Sequence, residues 1–360
     1  MRTVLPSLLL LSALLGPLPG CESAPASAPD PEPRAAEPEP LPGLDVFSGR
    51  RAFADLAALV EIGPRIAGSE GAARARDYLR GQLEALGLDV ASIETPRRVE
   101  GREPVVLRHL SVTLPGDSPD LFVLVSPYDS SDLGEVAYLG ANDGASGAAL
   151  LLELTRVLST RSLPYTTRIV FLDGEGRVEG ADAQPAVEPW SGSAGLADVW
   201  NASGELRRVR LLAAFHRVGD ADLRIARDLS SQRMFREEFF RAAERLSRTG
   251  AFPRNEGFAS VEGSHTAFLE RGVRGAGALA DTRFGGDAVP GAWFETSEDT
   301  LERCAPESLE IVGQVTLEAL DTIGRRLAKI DRFARSPLTP VEEPEPEPAS
   351  EPAPEAEPES

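Results

Sequence analysis

From about residue 43 to residue 335, apolar positions alternate between two rhythms, one near 3.6 residues and one of short apolar runs. Ala52–Val60 has the first, as does a segment through Ala73, Asp77, Tyr78, Leu79, Leu83 and Leu86. Ser69 is placed to cap that second helix and Gly87 to close it. Short apolar runs at Val90–Thr95, Val105–Leu114 and Leu121–Ser126 read as strands. A long helix over Ser146–Ser159 puts Leu150, Leu151, Leu154 and Leu158 on one face. Strands follow at Arg168–Leu172, Arg208–Phe215 and Gly275–Ala280, with helices at Arg233–Ser247 and Pro306–Leu327 and an irregular stretch over 174–192. This succession predicts one α/β domain, a mixed and mostly parallel sheet sandwiched by helices, with no internal repeat.

The ends do not share the pattern. Residues 22–42 and 336–360 are Pro/Glu/Ala tracts with almost nothing apolar to set against the entropy of ordering, so they are expected to stay extended and solvated. The later tract has eight Glu and no Lys or Arg, the earlier one five acids against Arg34; together they carry −12 of the net charge of −20. With no basic face on body or tails, nucleic acid is excluded as a partner. Residues 1–21 read as a lipoprotein signal: Arg2, an apolar stretch from Leu5 to Leu15 too short to span a bilayer, then Leu18-Pro19-Gly20-Cys21, which resembles the bacterial lipobox. Cys21 is then the lipidation site and residues 22–42 a tether to the bacterial cell envelope, with the outer membrane or periplasmic face favoured by Glu22. Cys304 is the one other cysteine, which leaves no intrachain disulfide.

Ligands of open α/β sheets sit beyond the carboxyl ends of the strands. The segments there read Ser126-Pro127-Tyr128-Asp129, Asn142-Asp143-Gly144-Ala145-Ser146-Gly147, Asp173-Gly174-Glu175-Gly176 and Phe215-His216-Arg217-Val218-Gly219. Gly263-Ser264-His265-Thr266-Ala267-Phe268 and Phe294-Glu295-Thr296-Ser297-Glu298-Asp299-Thr300 join them. Composition alone makes these turns with scattered acids. In this order, however, and with Pro306-Glu307-Ser308-Leu309 closing the run, they resemble metallopeptidase family 28, which holds bacterial zinc aminopeptidases and glutaminyl cyclases. The similarity runs from about Arg65 to Gly313, and implies that family's three-layer fold over a domain spanning 43–335.

The resemblance also implies a zinc site built from His, Asp and Glu, with a neighbouring Glu as general base, because imidazole and carboxylate suit zinc and one position must stay open for water. Residue by residue, the carry-over is incomplete. Where the family has the His of His-Tyr-Asp, this chain has Pro127 before Tyr128-Asp129. The bridging Asp is kept as Asp143. Glu175 keeps the general-base position, but Gly176 stands where the next Glu ligand belongs. His216 replaces an acidic ligand, Glu295 replaces the last His, and Ser264 stands where the cyclases use an Asp beside His265. Pro127 and Gly176 are thus lost ligand positions, Asp143 a retained one, and His216 and Glu295 substituted ones.

Three functions follow as expectations. One is a catalytically silent, lipid-anchored binding or scaffolding module with a relic base at Glu175 and zinc absent or weakly held. Another is an active zinc aminopeptidase or glutaminyl-peptide cyclotransferase acting on peptide or protein N-termini. A third is metal-free acid/base chemistry by Glu175 with His216. Substrate, partner and oligomeric state are not written in the chain.

Overall fold

A computed structural model describes residues 43, 45–97, 103–178 and 191–335, side chains of 191 and 333–335 excepted. The expected lipid signal at 1–21, the tether at 22–42, the tail at 336–360 and most of the 174–192 stretch lie outside these residues. Six strands, β1 (Ala91–Arg97), β2 (Val105–Leu114), β3 (Ser118–Pro127), β4 (Tyr165–Leu172), β5 (Val209–His216) and β8 (Ala276–Ala280), form one sheet in the order β1-β2-β4-β3-β5-β8. The β1–β2 and β2–β4 pairs are antiparallel, while β4–β3, β3–β5 and β5–β8 are parallel. The mixed, mostly parallel sheet expected from the sequence is the one observed. A small parallel pair, β6 (Arg227–Asp228) with β7 (Phe258–Ala259), lies apart from it.

The apolar run of β3 explains the layering. Phe122 and Leu124 pack into one cluster with Leu56, Leu79, Leu151, Phe239 and Leu320. These come from α1 (Gly49–Glu61), α2 (Glu70–Ala85), α3 (Ser146–Ser159), α5 (Arg233–Arg245) and α7 (Pro306–Arg335). Leu121, Val123 and Val125, one residue out of phase, pack into the other cluster with Leu196 and Trp200 of α4 (Ser191–Ser203) and Phe268 of α6 (Ser264–Glu270). Side chains alternate across a strand, so an unbroken apolar run is what a sheet buried on both faces needs. Ser69 caps α2 as expected, its hydroxyl accepting from the Ala72 N–H at 3.1 Å. No helix among the described residues is long and apolar enough to cross a membrane.

Because β3, β4, β5 and β8 run parallel, their carboxyl ends share one edge of the sheet. Pro127 sits beside Leu172 and His216 beside Ala280 in register. Every chain segment singled out for its chemistry leaves the sheet at that edge or is packed against it.

Candidate active-site cleft

The edge opens into a cavity of about 520 Å³ lined by residues that include Pro127, Asp143, Glu175, Gly176 and Glu295. Five of the seven residues singled out for site chemistry or lipidation thus meet here. His216 is buried beneath the cleft at 2% exposure, and Cys21 lies outside the described residues.

One wall is tightly built. Asp143 rides on an irregular turn, Ala141–Ala145, just before α3. Asp299 fixes that turn: its carboxylate accepts from the N–H groups of Asn142 at 2.6 Å and Asp143 at 3.1 Å and from the Tyr138 hydroxyl at 2.9 Å. Gly144 has φ +100°, and a Cβ there would lie 2.2 Å from the Asp129 carbonyl oxygen, so only glycine serves. Arg65, fully buried, donates to the carbonyls of Tyr128 at 2.9 Å and of Leu139 and Gly140 at 2.8 Å, which ties this turn to the end of β3.

The opposite wall is the loop that follows β4. Gly176 approaches the chain after β3 so closely that a Cβ would meet Ser130 O at 2.6 Å and Ser131 N at 2.8 Å. The Asp129 carboxylate holds this loop by accepting from the Gly176 N–H at 2.8 Å and the Glu175 N–H at 3.2 Å. Burial, with the charge of Asp173 adding to it, holds the Asp129 carboxyl above the usual carboxylate range. Glu175 is buried too, which raises its pKa. Its two oxygens accept from the Ser193 N–H at 2.6 Å and from the Ser264 hydroxyl, and both contacts work against that rise. His216 is held neutral by burial and by Arg217, and its Nε2 accepts from the Ser264 N–H at 3.3 Å.

Two arginines, Arg177 and Arg217, enter the cleft. Arg217 Nη1 lies 3.3 Å from Asp143 Oδ1, and its guanidinium stacks 4.8 Å from the centroid of Phe294. Arg177 pairs with the Glu295 carboxylate, which also accepts from the Ser131 hydroxyl at 3.4 Å. Arg217 and Glu295 both adopt φ +52°, a left-handed backbone rarely taken by residues other than glycine. Neither arginine was picked out as a site residue from the sequence. The available signal was positional: each directly follows a residue, Gly176 or His216, that the resemblance places at a ligand position.

His265 belongs to a separate buried cluster. Its Nε2 lies 2.8 Å from Ser230 Oγ and 3.3 Å from Asp228 Oδ2. Burial pushes the Asp228 carboxyl upward, but donors from His265, Ser230, Ser231 and the Val261 N–H outweigh it and hold the group below the usual range. Serine and aspartate meet the same ring nitrogen, whereas a proton relay needs one on each. This cluster anchors the start of α6.

A model of peptidase family M28 matches residues 110–320, more than half of the chain. The structure superposes on the glutaminyl cyclase of an Acidobacteriales bacterium with a TM-score of 0.72 and 26% identity, covering 82% of this chain and 100% of that one. A Zn-dependent exopeptidase from Parabacteroides distasonis gives a TM-score of 0.67 over 77% of this chain and 99% of that one; at 21% identity it speaks for the fold alone. Glutaminyl-peptide cyclotransferase of Drosophila melanogaster is 28% identical over 166 residues, which span 44% of this chain and 46%, under half, of that relative's length. The glutaminyl cyclase-like and aminopeptidase-like resemblance read from the junction motifs stands, and the chain belongs to peptidase family M28.

Proposed function

We propose that the chain is a catalytically silent member of its family, a lipid-anchored envelope protein whose cleft serves binding rather than metal chemistry. The observation that carries this reading is the fate of Asp143. The single zinc-ligand position that keeps its residue is ion-paired with Arg217. Zinc sites in proteins draw on three or four protein donors. Here Pro127 has no donor atom, and Gly176 has no room for a side chain. His216 Nε2 faces the Ser264 N–H, and Glu295 faces Arg177 and Ser131. Among the described residues, no three His, Cys, Asp or Glu side chains gather so as to hold a metal ion. The donor set does not fit zinc. Glu175 then has no activated water to deprotonate, and its oxygens are committed to Ser193 and Ser264. Attachment through Cys21, with residues 22–42 as tether, completes the reading.

The test uses protein made without residues 1–21. After dialysis it is expected to hold less than one zinc per chain. It is expected to show no aminopeptidase or glutamine-cyclising turnover above background. Stoichiometric zinc, with turnover abolished by Glu175→Gln, would establish the enzyme instead. The anchor is tested separately: Cys21→Ser should release the processed protein from the envelope fraction, and retention there would refute lipidation.

A further inference from the structure

Resting on that binding reading, we infer that the cleft receives a carboxylate on a short apolar stem, and that Arg217 is the group that takes it. Arg217 occupies the cationic place beside Asp143, yet its donors are not exhausted. Nε donates to the Asp281 carbonyl at 2.8 Å, and Nη1 reaches Asp143 at 3.3 Å. Charge-assisted bonds usually close to about 2.7–2.9 Å, so the Asp143 contact leaves this donor loosely held. Nη2 has no partner among the described residues. A guanidinium fork is matched to a carboxylate in shape as well as charge.

Arg97 supplies the second, independent observation. It lines the same cavity and is only 8% exposed. Two of its nitrogens donate to the carbonyls of Gly174 and Gly176, at 3.4 and 3.2 Å, but buried Nε finds no partner among the described residues. A buried donor left unmade is costly, and a ligand acceptor is one way to satisfy it.

The acids of the cleft are differently placed. Asp129 accepts from the Glu175 and Gly176 N–H groups, Glu175 from Ser193 and Ser264, and Glu295 faces Arg177 and Ser131, while Asp143 keeps the long contacts with Arg217 at 3.3 Å and the Tyr138 hydroxyl at 3.4 Å. Glu262 is exposed, where water screens it. Among these acids, Arg97 Nε and Arg217 Nη2 are donors without a partner among the described residues. Val178, Val261, Val289, Pro290 and Phe294 supply the apolar part of the lining, and about 520 Å³ is the volume of a small-molecule site. The strained φ of Arg217 fits a residue held in place for a ligand.

Calorimetric titration of the mature chain decides the matter. N-acetyl-leucine offers a carboxylate without an amine, leucinamide an amine without a carboxylate, and N-acetyl-leucinamide neither. N-acetyl-leucine is expected to bind at least tenfold more tightly than the other two. Arg217→Met should weaken it tenfold or more, and Arg217→Lys should recover part of the loss. Ala-Ala-Leu with a free or an amidated C-terminus separates the two sources: binding of the free form assigns a peptide end, its failure a free acyl amino acid. Equal or tighter binding of leucinamide would overturn the inference while leaving the binding reading intact. Loss of the acid/amide contrast in the unmodified chain would overturn it even if Arg217→Met does not fold. Stoichiometric zinc would instead strike at the binding reading itself.

Discussion

Two buried ion-pair clusters in this molecule look alike in composition and differ in how they close. Between α1 and α3, Glu153 is fully buried, and its carboxylate accepts from the Ser48 N–H at 2.9 Å, from Arg51 at 2.6 Å and from Arg156 at 3.0 Å. Arg156 continues to Asp55 at 2.6 Å and Gln82 at 3.0 Å, and Asp55 to the Tyr78 hydroxyl at 2.6 Å. The bonds link α1, α2 and α3, and none of these residues lines the cleft. In the cleft, Arg217 and Asp143 touch once, at 3.3 Å, beside an open volume. The closed cluster serves the architecture. The open one leaves donors facing a space that something else can fill.

The largest effect should come from the closed cluster. Glu153→Ala leaves two arginines without their shared buried carboxylate. Breaking such a pair typically costs about 3–5 kcal/mol. Urea unfolding should show this as a large fall in midpoint, with Glu153→Gln falling less. A cost under about 1 kcal/mol would remove the distinction between the clusters.

His109 tests closure by pH. It is fully buried in β2; its Nδ1 accepts from the Asp173 N–H at 3.1 Å and its Nε2 meets Thr95 Oγ1 at 2.9 Å. A proton on Nδ1 would destroy the first bond, and burial has already pushed the imidazole down to about 4 from 6.5. Between those values the unfolded chain binds the extra proton and the folded one does not, so stability falls as pH falls through that window and levels off below it. At about 1.4 kcal/mol per unit the loss approaches about 3 kcal/mol. The raised carboxyls of Asp129, Asp281 and Asp299 titrate with the opposite sign, so the slope should appear in the difference between the midpoints of the unmodified chain and His109→Gln from pH 7 to 4.

Gly176 carries the contrast into the wall that follows β4. A Cβ there meets backbone atoms of Ser130 and Ser131, which cannot move aside as a side chain would. Gly176→Ala should therefore cost about 1–3 kcal/mol, as overpacking does. The same contact bears on rebuilding the family's ligands. Pro127→His, Gly176→Glu, His216→Asp and Glu295→His combined should therefore not reach stoichiometric zinc. Tight zinc binding by a fully stable quadruple variant would refute the steric account.

The sheet and most of its helices were legible because their signals are local. The LFVLV run of β3, the leucine face of α3 and Ser69 before α2 each state a period or a cap within a few residues. The helix α4 was not, since SGSAGLADVWNAS has the composition of a loop. It is helical here because Leu196, Ala197 and Trp200 find the second face of the sheet. In the cleft, the places of Pro127 and Gly176 at the strand ends could be read one residue at a time. The arginine pairings could not. Arg217 and Asp143 are 74 positions apart, and Arg177 and Glu295 are 118 apart. A partner at that distance is fixed by topology alone.

The smallest expected effect sharpens the contrast most. Arg217→Gly removes a long ion pair at 3.3 Å whose remaining carboxylate, Asp143, opens on the cavity and can be hydrated there, a loss of about 1 kcal/mol, and stacking on Phe294 worth about 0.5–1. It also removes one hydrogen bond to the Asp281 carbonyl, about 1 kcal/mol. Against these, glycine takes φ +52° freely, relieving the roughly 1–2 kcal/mol that a left-handed backbone costs other residues. With the extra unfolded-chain entropy of glycine, about 0.4–1 kcal/mol, the net loss is about 1–2 kcal/mol, below the cost at Glu153, while N-acetyl-leucine binding is lost. A stability cost of about 3 kcal/mol or more would place Arg217 in the same class as Glu153, a cation held by the fold for the fold's own sake. The carboxylate site would then lose the uncommitted donor on which it rests.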